Sequence, residues 1–296
     1  MTRRHDLFLT AVAPAVWGST YLVTTEFLPQ GYPLTMAMLR ALPAGLLLLA
    51  FARQWPRGIW LGRVLLLGAL NFSVFWALLF VAAYRLPGGV AATVGAVQAL
   101  IVIGLARLLL RSPVHALSVL AALAGLGGVA LLILTPEAAL DPLGIAAGLG
   151  GAASMAAGTV LTRKWQPPVP LLTFTAWQLT AGGMLLLPVA LWLEPALPSL
   201  TGRNLMGLVY LGLIGAALTY ALWFRGVARI APSAVSTLGF LSPLTAVVLG
   251  WAVLGQTLSP LQSAGALTVL ASVWLGQQAG RLRPLPSMKP SLKPGD

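Results

Sequence analysis

The chain has 296 residues, of which 58% are hydrophobic and only 8% charged, against roughly 25% charged residues in a soluble domain. It contains no cysteine, which excludes disulfide frameworks, thiol nucleophiles and Cys-ligated zinc or iron–sulfur centres. The net charge of +12 would suggest nucleic acid in a soluble protein, but here the charges sort by loop and follow membrane topology.

Apolar runs of about 20 residues, long enough to span a hydrocarbon core, recur along the whole chain. They predict ten transmembrane helices, near residues 8–26, 34–52, 62–83, 86–108, 114–134, 142–162, 171–193, 204–224, 232–254 and 260–279. The first contains Pro14 and Trp17. Its start, MTRRHDLFLTAVAPAVWG, has the basic beginning and A-x-A-like AVAPA of a cleaved signal peptide. The apolar run continues to about Val23, however, and the internal repeat below needs it as a span. The second span carries Pro43 and Arg40, the latter some seven residues from its outer end, or ~10 Å deep at the helical rise. In the third, Asn71 and Phe75 are four apart and are expected on one helical face. Thr93 and Gln98 fall in the fourth.

In the sixth span Gly150, Ser154 and Gly158 have the small-xxx-small spacing that lets helices approach closely in lipid. Trp177 and Gln178 lie in the seventh span and Tyr220 in the eighth. The ninth reads SAVSTLGFLSPLTAVVLGWAVLG (233–255), uncharged yet interrupted by Pro243 and dotted with Ser236, Phe240 and Ser242. A mid-membrane proline frees a carbonyl, which is tolerated where protein or water satisfies it. Ser236, Phe240 and Pro243 fall at i, i+4 and i+7, so this face is expected to line a path, with Phe240, Trp17 and Trp177 as its aromatic walls. Pro14, Pro43 and Pro243 are read together as helix breaks or gates. Loops such as PQGYP (29–33) and QPPVP (166–170) are short and turn-rich. The Pro-, Lys- and Arg-rich tail (281–296) is expected to be disordered.

With the N-terminus inside, 15 of the 18 Lys and Arg fall on cytoplasmic segments, while Arg85 and Arg203 fall outside and Arg40 within a span. Glu26, Glu137, Asp141 and Glu194 fall outside. This asymmetry predicts cytoplasmic termini in a multi-pass protein of a bacterial inner membrane. Sliding the sequence by 144 residues lays 77–110 on 221–254 without a gap, with nine of 34 positions identical, Arg85 and Arg229 among them. Elsewhere the charges fail to match: Arg107 meets Trp251, Arg225 meets Val81, and at an offset of 138 Arg163 meets Thr25. Loss of positive charge at equivalent loops is what two inverted five-span halves require. The expected organisation is 1–135 and 136–280 as two five-helix repeats around a central cavity, followed by the tail.

The segment 223–275, with its Pro243 element followed by LGQTLSPLQSAG, resembles the C-terminal half of an EamA-type carrier of the drug/metabolite transporter superfamily. WGSTYLV (17–23) and LRALPAG (39–45) resemble the start of the N-terminal half. Within the family the aromatic supply of Trp17, Phe75, Trp76, Trp177, Tyr220 and Phe240 is most similar to aromatic amino-acid exporters. The resemblance implies a helical basket around a central cavity, with spans 5 and 10 more structural. Where the family usually has Glu, this sequence has Gln256, which removes an ionisable group near the outer face.

Buried amides and hydroxyls at Asn71, Gln98, Gln178, Thr93 and Ser154 are costly toward lipid and should face the interior, whether as ligand contacts or as interhelical hydrogen bonds. Arg40 has three roles open to it: snorkelling to the surface, forking onto a substrate carboxylate, or tying helices through freed carbonyls. Trp55, Trp60, Trp165 and Trp192 at span ends suit interfacial belts. No Asp or Glu lies deep in a span, leaving Glu26 as the peripheral carboxylate on offer, and no P-loop is present. The expectation is a secondary carrier without cofactor or metal, exporting small amphipathic metabolites, aromatic and other neutral amino acids foremost, by facilitated diffusion. The rivals are a proton-coupled multidrug or other metabolite carrier, and a non-transporting receptor or scaffold. Nothing in the sequence indicates the oligomeric state.

Overall fold

The computed structural model describes residues 3–86, 94–133, 141–255, 257 and 259–279, and every regular element among them is helical. The helices are α1 (Arg3–Phe27), α2 (Pro33–Ala52), α3 (Ile59–Gly68, continued through a π-helical segment Ala69–Ser73 into Val74–Arg85), α4 (Gln98–Leu110) and α5 (Ala116–Ile133). They are followed by α6 (Pro142–Lys164), α7 (Leu171–Leu193), α8 (Gly202–Val209, a π-helical segment Tyr210–Leu218, then Thr219–Arg229), α9 (Pro232–Leu238 and Leu241–Leu254) and α10 (Pro260–Ala279). Among the described residues, eight helical runs are long and apolar enough to cross a membrane, and Val94–Leu110 is a shorter apolar helix. Gln262, Gln277 and Gln278 make the 20-residue α10 less apolar.

Sequence chemistry fixes several helix ends. Asp141 caps α6 by accepting the Gly144 N–H at 2.6 Å, with Pro142 in the first turn. Thr201 and Asn204 close a reciprocal capping box at the start of α8. The first turn of α2 has no cap of its own. Its Leu34 and Thr35 N–H groups donate to the two oxygens of Glu194, at the end of α7, at 2.6 and 2.8 Å.

The most extensive packing joins α2 to α7 and α5 to α10, followed by α3 to α6, α1 to α8, α1 to α9, α3 to α7 and α4 to α6. Small residues permit the closest approaches: a Cβ on Gly45 of α2 would collide with the Thr180 backbone of α7. The α5–α10 pair closes through Gly128 against Val269 and Gly265 against Leu132. The outer surface is apolar, with Phe51, Leu108 and Leu191 largely exposed, as a bilayer solvent requires.

Proline placement differs from the sequence expectation. α1 and α2 run through Pro14 and Pro43 as continuous helices, as α7 does through Pro188. Only α9 is interrupted among these, at Gly239–Phe240. There Pro243 has no N–H to offer the Gly239 carbonyl, which instead accepts from Ser242 at 3.1 Å. The turn at Val97, just before α4, aligns with Leu241, the residue after that break, and Ala99 stands where α9 has Pro243. The interruption therefore does not require the proline.

Candidate functional site

A π-helical turn shifts backbone pairing to i→i+5 and leaves carbonyls for other partners. In α8 the Gly215 carbonyl accepts from Arg40 Nη2 of α2 at 2.7 Å and from the Thr219 hydroxyl at 2.8 Å. Thr219 Oγ1 in turn accepts from the Trp17 indole N–H of α1 at 2.9 Å. Three helices thus meet in one polar chain. Of the roles open to Arg40, tying helices through a carbonyl is the one seen, and its guanidinium also lies 5.3 Å from the centroid of Trp76, in the range of a cation–π contact.

Aromatic rings fill the space around it. Tyr220 lies 4.9 Å from Trp17 and 4.6 Å from Phe72, centroid to centroid, and Phe72 lies 5.4 Å from Trp76. Trp223 stands 5.3 Å from Trp17 and Phe224 5.7 Å from Tyr220. All except the half-buried Trp17 are buried.

The π-helical turn of α3 is served by neutral groups. Asn71 Nδ2 donates to Gln178 Oε1 of α7 at 2.8 Å and to Thr162 Oγ1 of α6 at 3.1 Å. Ser154 of α6 donates to the Leu70 carbonyl at 2.9 Å, and Ser73 donates to Gly182 of α7 at 2.8 Å. Gly158 admits the Asn71 amide, since a Cβ there would collide with Asn71 Oδ1. Asn71 Oδ1 and Gln178 Nε2 are buried with no partner among the described residues, an acceptor and a donor of the kind that water or a ligand satisfies.

Trp17, Arg40 and Tyr220 therefore share one cluster, and Asn71, Gln178 and Ser154 a second beside it. Phe75 is only half-buried at the edge of the first, while Phe72 and Trp76 point inward. Asn71 itself is fully buried, so the two residues expected on one face differ in how far each is enclosed. The three proposed aromatic walls do not meet. Trp177 packs with Leu49, Val64 and Phe174 and donates to the Gln54 carbonyl at 2.7 Å. Phe240 fits against Gly125 of α5, with Ala99, Ala122 and Val269 around it, on the scaffold side of α9. Ser236 returns its hydroxyl to the Ser233 carbonyl at 3.0 Å. Ser242 and Gln98 are half-buried, while Thr93 and Gln256 lie outside the described residues.

Phe72, Trp223, Phe224, Thr162 and Thr219 were missed. Trp223 and Phe224 open the segment 223–275 that carries the family resemblance, and Phe224 and Thr219 are the repeat partners of Phe80 and Phe75. Of the belt candidates, Trp55 and Trp192 are exposed, whereas Trp60 and Trp165 flank Arg63 at 5.0 and 5.2 Å. Cavities of about 210 and 170 Å³ open at the end of the bundle that carries Arg163, Arg225 and Arg229. Among the described residues no group of three His, Cys, Asp or Glu could hold a metal ion.

The model of the EamA-like transporter family matches residues 6–134 and again residues 142–276. The chain is 47% identical over 280 residues to Protein PecM of Dickeya dadantii, covering 94% of each chain. It is 30% identical to the uncharacterized inner membrane transporter YedA of Escherichia coli K12, covering 83% of this chain and 82% of that one. It is 26% identical to a probable amino-acid metabolite efflux pump of Salmonella typhimurium, covering 95% and 97%. A crystal structure at 18% identity superposes with a TM-score of 0.81 over 95% of this chain and 100% of the other, a likeness of fold alone. With both segments matched, and with helices built to cross a bilayer, this chain is a multi-pass membrane transporter belonging to the EamA-like transporter family.

Proposed function

We propose that the protein is a secondary carrier of a bacterial inner membrane that exports small amphipathic metabolites, above all aromatic and other neutral amino acids, by alternating access. Its halves are residues 1–135 and 136–280, two inverted five-helix repeats with cytoplasmic termini, and residues 281–296 form a cytoplasmic tail. Two observations support the inverted halves. The family matches the chain twice. The helix pairing also keeps its form when the halves are exchanged, because α3–α6 becomes α8–α1, α4–α6 becomes α9–α1, and α2–α7 and α5–α10 become themselves.

The observation that carries the substrate reading is the Arg40 guanidinium, held at mid-bundle over Trp76 beside the Tyr220–Phe72–Trp17 rings. A planar fork of donors suits a carboxylate, and aromatic walls with a few placed polar groups suit an apolar side chain. The unpaired Asn71 Oδ1 would accept from an ammonium group. Among the described residues the acidic side chains lie at helix ends: Asp6 near the start of α1, Glu26 near its end, Asp141 at the start of α6 and Glu194 at the end of α7. Facilitated diffusion down an outward gradient is therefore the mechanism proposed.

Reconstituted protein tests this reading. Radiolabelled phenylalanine should enter proteoliposomes and exchange with internal leucine, and a protonophore should leave the flux unchanged. Accumulation driven by an imposed pH gradient alone would overturn uncoupled transport. Absence of any amino-acid flux, in protein that still moves uncharged aromatic compounds, would overturn the substrate class.

A further inference from the structure

Arg85 and Arg229 are the one pair of matched positive charges in the repeat alignment, against the tendency to strip Lys and Arg from outer loops. Arg85 ends α3 and lies 3.6 Å from Asp141 at the start of α6. Arg229 ends α8 and lies 3.4 Å from Asp6 in the first turn of α1. Helix dipoles explain an acid at each start and a base at each end. They do not explain why each arginine reaches the acid of a helix from the other half, at both ends of the bundle.

We propose that these two ion pairs are a related pair of latches, one for each membrane face, that open and close in alternation. The proposal rests on the inverted-repeat reading above. Each pair crosses between the halves and both are formed here, at 3.6 and 3.4 Å, so rocking one half against the other lengthens one pair while the other is kept or shortened.

The latches are unequal. Asp6 also accepts from Arg225 at 2.6 Å, and in that contact the two side chains are only 15% and 13% exposed. Arg85 and Asp141 are 47% and 36% exposed. The residue aligned with Arg225 is Val81, so the outer latch lacks the second arginine. The bundle shows the same bias. In α9 every described residue of Pro232–Leu238 except Ser233 is buried, but in Leu241–Leu254 only Gly250 is. Arg163 adds a further tie at the inner end by donating to the Val227 and Ile230 carbonyls at 2.5 and 2.8 Å. The resting state is held closed inside and looser outside, and the number of arginines on each aspartate sets that balance.

The cysteine-free chain allows a direct test with single-cysteine reporters, S236C in the inner half of α9 and S242C beyond its break, labelled with a small water-soluble maleimide in reconstituted protein. Arg225→Val should raise S236C labelling and lower S242C labelling by about three- to fivefold, the population shift that a partly exposed ion pair supports. Val81→Arg, at an exposed position one turn before Arg85, should do the reverse. The Asp6→Arg, Arg225→Asp exchange should return both rates toward those of the unaltered chain. Unchanged rates in both variants, or both reporters moving in the same direction, overturn the latches. The topology is read separately from H5C and L143C in right-side-out vesicles. If an impermeant reagent labels both, the inverted halves fail. If it labels L143C alone, the halves stand and the reporters judge the latches.

Discussion

The two π-helical turns, Ala69–Ser73 in α3 and Tyr210–Leu218 in α8, are aligned by the internal repeat and carry different chemistry. Asn71 aligns with Gly215, and Gln178 aligns with Arg40. Both turns are tied to the facing central helix, one by an amide pair at 2.8 Å and the other by a guanidinium on a carbonyl at 2.7 Å. The repeat thus keeps the backbone device and the helix that satisfies it, while the side chains differ in charge. Two like sites would bind a molecule in either direction. On the proposed function, one cationic and one neutral site beside the rings of Phe72, Tyr220 and Trp76 would hold a polar-ended amphipath in a single orientation.

Exchanging residues between the halves gives the largest expected effect. Gly158 aligns with Thr20, and a Cβ at Gly158 runs into the Asn71 amide. Gly158→Thr should cost about 3 kcal/mol of stability or more, the upper end of what overpacking a tight site does, seen as a lowered melting midpoint in detergent. Thr20→Gly, in the half without that amide, should cost under about 1 kcal/mol. Equal losses would mean that the two turns are packed alike.

The amide side is next. Gln178→Leu leaves Asn71 without its closest acceptor, and Asn71→Leu leaves Gln178 Oε1 without its closest donor. Each single change should cost about 1–3 kcal/mol, as a stranded buried polar group does. A double-mutant cycle should return a coupling of about 0.6–1.7 kcal/mol, the range of interhelical hydrogen bonds in membranes. A coupling of zero would make the pair incidental.

The smallest effect is expected on the cationic side. Trp17→Phe keeps an aromatic ring but removes the N–H that reaches Thr219. The Thr219 hydroxyl still satisfies Gly215, so thermal denaturation should show a loss of only about 0.6 kcal/mol. A loss comparable to that of Gln178→Leu would mean that the indole bond, rather than Arg40, carries this side.

The sequence made the membrane class and the bundle legible because lipid imposes long apolar runs and sorts basic loops. It also marked Arg40, Asn71, Gln178 and Tyr220, since polar or amphipathic groups in mid-span have few other reasons to be there. The π-helical turns left no mark, because the groups that satisfy them come from helices distant in sequence, as Ser154 does for Leu70. Nor does residue spacing show that Phe72 and Trp76 are buried while Phe75 is half-buried against the same cluster. Phe240 looked like a cavity wall because helical periodicity gives a face but not the neighbour it meets, and that neighbour is Gly125. Position in the sequence favours Glu26 as the carboxylate on offer, yet Asp6 is enclosed, with Arg225 2.6 Å away. Nothing local to MTRRHD reveals an arginine more than 200 residues on.

The proposed oriented site is tested most directly by equilibrium binding, read from the change in intrinsic tryptophan fluorescence, to which Trp17, Trp76 and Trp223 beside the site contribute. Phenylalanine and phenethylamine, which differ only in the carboxylate, are titrated against the unaltered chain and Arg40→Gln. Loss of a charge-assisted hydrogen bond costs about 1.5–3 kcal/mol. Phenylalanine should therefore bind Arg40→Gln at least tenfold more weakly, while phenethylamine binds both proteins alike. Equal weakening of both ligands, or no change in either, would contradict the assignment of Arg40 to the carboxylate and leave it as a tie between α2 and α8.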